Sequence, residues 1–150
     1  MFGQTMEVKI GTAHPRVLIE NDTPRRITEI HLHLDADDDL AAGMGEAAVD
    51  ALKHLRSGAT ASSVVMLDAL KVRADFSAGD KDKMRLDCAV ERASLRKPKK
   101  EDSGPICTLR LAFATKQEPL WWLVEHLDTT VKLRLTKIQL ELAKTTEAAK

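Results

Sequence analysis

His31-Leu-His33-Leu-Asp35 is the stretch of this chain whose residue types and spacing come nearest to chemistry. Alternate residues of a β-strand project to the same face. On a strand, both imidazoles would therefore reach one ion, with Asp35 as a third ligand. A metal centre needs a complete ligand shell, and the neighbouring sequence decides whether one is present.

The pattern partially matches the HxHxDH motif of metallo-β-lactamase-like hydrolases. It departs from that motif where the final His should stand, because position 36 is Ala. The chain is also short for that fold, and His14, His54 and His126 are scattered without a second ligand cluster. The sequence favours a plainer reading of His31, His33 and Asp35. They form the wet face of a strand, and the acidic run Asp35–Asp39 then starts a helix by accepting orphan backbone N–H groups. There is no GxSxG, no Cys-His signature, no P-loop and no dinucleotide glycine pattern. No two carboxylates are set in an apolar context that would make an acid/base pair. The expectation is a protein without catalytic residues, metal or cofactor.

Two other groups suit binding. Arg96, Lys97, Lys99 and Lys100 form a compact basic tip able to touch phosphates, although Glu101 and Asp102 follow at once and loop tips are commonly charged for solvation alone. On a helix wheel Leu120, Leu123, Val124 and Leu127 cluster, whereas Trp122 falls nearly opposite and Trp121 lies on a border. Trp122 is then either an exposed contact for a protein or a nucleic-acid base, or is covered by another element.

These residues must be positioned by a single domain. The 150 residues are enough for one core without disulfides or metals. Aromatics make up only 3% and Tyr is absent, so Leu, Val, Ile, Met and Ala must fill that core. The 23 basic and 23 acidic side chains cancel, which weighs against gripping duplex DNA by bulk charge but leaves room for a local basic patch. No apolar run is long enough to span a bilayer, and no signal peptide is evident at the N-terminus. Cys88 and Cys107 fall on inward strand positions and read as reduced core thiols of a cytoplasmic protein.

Period-two alternation marks most elements. Met6–Ile10 and Val17–Glu20 read as two short strands, followed by a turn at Asn21–Pro24 and a strand carrying Ile30, Leu32 and Leu34. A helix is predicted over 46–56, ended by Gly58. Gly43 and Gly45 leave it open whether residues 38–56 form one helix or two. Leu70–Phe76 and Met84–Val90 read as a hairpin across Ser77–Asp80, Arg96–Pro105 as a loop, and Cys107–Phe113 as the next strand. A helix over 119–127 would start with Pro119 at its first position and Glu118 as cap. In the last strand Val131, Leu133 and Leu135 are odd-numbered but Ile138, Leu140 and Leu142 are even-numbered. A β-bulge is therefore predicted near Thr136-Lys137. The fold class is α+β: a mainly antiparallel sheet of six or seven strands with two helices, one domain over 1–142, and a frayed tail over 143–150.

LDCAVERASL (Leu86–Leu95), a loop, TLRLAFAT (Thr108–Thr115), a short Trp- and Leu-containing helix and TVKLRLTKIQLEL together resemble small uncharacterised proteins of tailed bacteriophages and prophages of proteobacteria. VLIEN through ITEIHLHLDADDDL is similar to that family's opening strands and helix start. The chain departs from the family after Thr115, where Lys116-Gln-Glu118 replaces a His-Pro acidic segment. The resemblance covers about half the chain and brings no catalytic residues with it. It implies a phage accessory protein acting in the host cytoplasm alongside replication or recombination proteins. The expected partner is a protein or single-stranded nucleic acid, contacted through Trp122, Trp121 and the Arg96–Lys100 loop. The alternatives are an inhibitor of a host defence protein and a metal-dependent hydrolase built on His31, His33 and Asp35.

Overall fold

The computed structural model describes residues 2–97 and 104–138. Six strands form one antiparallel sheet closed into a barrel, and three helices pack on it. In chain order the elements are β1 (Thr5–Glu20), β2 (Thr23–Asp35), α1 (Asp38–Met44), α2 (Glu46–Ser57), β3 (Ser62–Ser77), β4 (Lys83–Arg96), β5 (Ile106–Ala114), α3 (Gln117–Glu125) and β6 (Thr130–Lys137). Around the barrel the order is β1-β2-β5-β4-β3-β6. Strands β3, β4 and β5 follow one another, and β6 returns through α3 to lie beside β3, which is a Greek key. Because β6 also pairs with β1, the closure removes the edge of the sheet where the three strands run together.

The α+β class holds, and the barrel's inner face is the alternation read from the sequence. Ile30, Leu32, Val72, Ala74, Val90, Leu109, Leu111, Leu133 and Leu135 are all fully buried. Removing such aliphatic side chains from water stabilises the fold by roughly 1.5–3 kcal/mol each before entropy is counted. Cys88 and Cys107 are free, buried members of this core.

Several boundaries differ from expectation. Residues 5–20 form one strand, not two, because a bulge between Ile10 and Thr12 lets the strand continue after a one-residue slip. The Asn21-Asp22 turn that follows has φ of 49° and 63°, which suits these two residue types in a two-residue hairpin. Gly45, at φ 116°, breaks the 38–57 segment into two helices. Asp37 caps the first helix by accepting from Leu40 N–H at 2.8 Å, and Gly58, in the left-handed region at φ 82°, ends the second. The helix total is therefore three where two were expected.

The third helix begins at Gln117 with Lys116 as cap, two residues earlier than predicted. Pro119 tolerates this third position because first-turn N–H groups lack intrahelical partners, and its ring clears Thr115, which lies outside the helix. The expected bulge near Thr136-Lys137 is absent. Arg73 pairs with Thr136 and Val72 with Lys137 in unbroken register, and Ile138 N–H continues the ladder to Lys71 O at 3.2 Å. Leu140, Leu142 and the tail over 143–150 lie outside the described residues.

Candidate binding face

Of the residues singled out in the sequence, His31, His33, Asp35 and Arg96 come together on the outer face of β1-β2-β5-β4. Ile30, Leu32 and Leu34 point inward, so Glu29, His31, His33 and Asp35 share the outward row of β2. On β5 the outward row is Thr108, Arg110 and Ala112. A second bulge, between Val90 and Arg92, brings Arg92, Ser94 and Arg96 outward on β4. Register then sets two cross-strand rows. One runs His33, Thr108, Ser94, and the next runs His31, Arg110, Arg92.

The acidic side chains of this face are engaged by its arginines. Glu29, whose side chain is only 12% exposed, meets Arg16 in an ion pair and Arg110 at 3.9 Å. Arg110 Nε donates to Glu91 at 3.1 Å. Glu29 Oε1 makes no well-aligned hydrogen bond among the described residues, so charge rather than directionality holds it. Arg92 and Arg96 have no ion pair within the described residues. They stand two residues apart from Ser94 on one strand face, a separation of about 7 Å per two residues.

The histidines respond to these cations. Partial burial, then the adjacent His14, then Arg110 and Arg92 push the His31 pKa below its ordinary value, with Glu29 opposing. Partial burial and then Arg96, His31 and Lys9 lower that of His33. His33 Nδ1 lies 3.0 Å from Thr108 Oγ1, and the His14 and His31 rings meet edge to face at 6.2 Å. His33 sits over Gly11, where any Cβ would clash with Nε2 of its imidazole. Glycine at the β1 bulge is thus what lets His33 lie flat against the barrel.

His31, His33 and Asp35 share a face but belong to no group of three metal-ligating side chains among the described residues. Arg96 joins the β4 row, and Lys97 lies next to Gly58 at the end of α2. Lys99 and Lys100 lie outside the described residues.

Trp122 is covered. Its indole N–H donates to Asp82 Oδ1 at 2.7 Å, its ring meets Phe76 at 5.7 Å, and His126 stacks on it at 4.0 Å. The exposed large apolar side chains of α3 are Trp121, at 61%, and Val124, at 50%, while Leu123 is fully buried. The helix is therefore rotated relative to the wheel reading, with Trp122 against the barrel and Val124 toward solvent. The sequence signal missed here was Asp82, in a turn forty residues away.

No helix is long and apolar enough to cross a membrane among the described residues. Compared with protein-family models, curated proteins and solved structures, the chain matches none.

Proposed function

We propose that this chain is a non-enzymatic accessory protein that holds a single-stranded nucleic acid across the outer face of β2-β5-β4. The observation carrying this reading is the pair Arg92 and Arg96, two cations without ion-pair partners among the described residues, flanked by Arg110, His31, His33, Ser94 and Thr108. Such a row offers charge and hydroxyl donors at intervals suited to successive phosphates, without a base-reading element. The overall neutrality of the chain fits a local track better than wholesale wrapping of a duplex. The resemblance of Leu86–Leu95 and Thr108–Thr115 to phage and prophage proteins supports an activity in the cytoplasm of an infected host, beside replication or recombination proteins.

Fluorescence anisotropy with a labelled oligothymidine tests it. Binding should weaken with salt, with log K against log salt falling at a slope of roughly −2, as expected when about three cations meet a single strand. R92A/R96A should weaken binding and flatten that slope. No binding at low salt would remove the proposal.

A second reading rests on a different surface. Trp121 and Val124, one helical turn apart on α3 and both exposed, favour a protein partner there, including a host defence protein that this chain would inhibit.

A further inference from the structure

Resting on that reading, we infer that the binding face is proton-linked: His31 and His33 take up protons as a phosphate strand settles on it, so acidification tightens the complex. Three imidazoles stand outward on two adjacent strands, and His14 touches His31. Among the described residues, the charged groups around them come from four strands. From β1 come Lys9 and Arg16, from β2 Glu29 and Asp35, from β5 Arg110, and from β4 Glu91, Arg92 and Arg96. The neighbouring outward residues Val64 and Met66 of β3 carry no charge.

Glu29 and Glu91 are already ion-paired with Arg16 and Arg110, and Lys9 pairs with Asp128 at 3.5 Å. Asp35 stands at the end of its strand, level with Ile106 and Arg96, one outward position beyond His33. In the free protein His31 and His33 are partly buried and face mostly cations, and both effects disfavour their protonation. A phosphodiester arriving at Arg92 and Arg96 reverses the local sign, and each histidine then gains from carrying a proton. His33 is held in place for this by Thr108, and Gly11 leaves the room beneath its ring. Linkage requires the converse: added protons must raise affinity for the strand.

The experiment measures oligothymidine affinity between pH 8 and pH 6 at constant ionic strength, where neither the thymine nor the phosphodiester titrates. The wild-type affinity should rise about tenfold over this range, which corresponds to a mean uptake of roughly half a proton on binding. H31Q/H33Q should flatten the dependence, with circular dichroism confirming its fold. A wild-type affinity that is measurable but level from pH 8 to pH 6 overturns the proton linkage alone. A slope that survives in the double variant does the same. Absence of binding at every pH overturns both the linkage and the nucleic-acid reading beneath it.

Discussion

His126 and Asp82 meet through Nε2 and Oδ2 at 2.8 Å, while the other ring nitrogen, Nδ1, lies 2.7 Å from the Trp122 carbonyl. A carboxylate and a carbonyl only accept, so both ring nitrogens must donate and the imidazole is charged in this arrangement. Asp82 also accepts from Trp122, so one carboxylate ties the β3–β4 turn to both ends of the last turn of α3. Burial works against the charge, but the Trp122 carbonyl and Asp82 outweigh it and raise the His126 pKa. The hydrogen bonds from Trp122 and then His126 lower that of Asp82.

A stability window follows. The raised His126 pKa contributes stability that is complete below about pH 6.5, the ordinary histidine value, and is lost as pH rises through the folded value. The lowered Asp82 pKa contributes stability present above about pH 4 and lost on further acidification. Thermal melting should therefore show this pair at its best between about pH 4 and 6.5, with Tm declining toward pH 8. H126Q and D82N should each flatten that decline. An unchanged slope in both variants would show that the pair is not charged as drawn.

The two tryptophans should separate cleanly in urea unfolding. W122A removes a ring packed on Phe76 and leaves Asp82 without its indole donor, and it should cost roughly 2–4 kcal/mol, near or below the range for a fully buried aromatic. W121A truncates an exposed side chain and should stay within about 0.5 kcal/mol of wild type. Equal losses would contradict the orientation of α3.

That orientation shows where the sequence stops being informative. Alternation in Leu70–Phe76 and Met84–Val90 is a local property, and it located strands that pair as read, Phe76 opposite Met84. Asp37 and Gly58 act within one helical turn, so they were legible too. Barrel closure depends on pairings such as Thr5 with Arg134, which leave no local trace. The wheel placed Val124 inside because it weighed aliphatic clustering, whereas the helix settles on the side where an indole N–H finds a distant carboxylate. The shift of inward parity in β1, between Ile10 and Ala13, went unread because Gly11 gives no apolar signal at the bulge. The binding face was legible only in pieces: His31 and His33 from alternation, and Arg96 as the start of a loop. Their neighbours Arg92 and Arg110 needed the β4 bulge and the β4–β5 register to come alongside.

The core thiols give a prediction about reactivity. Burial pushes both Cys88 and Cys107 up to about 12, far from the range where a thiolate forms at neutral pH. Ellman's reagent at pH 8 should find neither thiol in the native protein and both after unfolding in urea. Rapid modification of one thiol without denaturant would show that its strand opens locally.

Gly11 links the fold to the binding face. A methyl at this position would collide with the His33 ring and come within 3.2 Å of the His31 carbonyl, so G11A must lift the imidazole away from Thr108 or shift the bulge. The cost should be about 1–3 kcal/mol, the usual range for overpacking a close contact. Freed into solvent, His33 would lose the burial that lowers its pKa, and its titration should move up toward the ordinary histidine value. Following the imidazole C–H signals by NMR against pH checks this directly. An upward shift at His33 with little change at His126 is the expected result, because the Asp82 contact belongs to α3 and the β3–β4 turn. An unaltered His33 titration would mean that the β1 bulge, and not the ring, absorbs the added methyl.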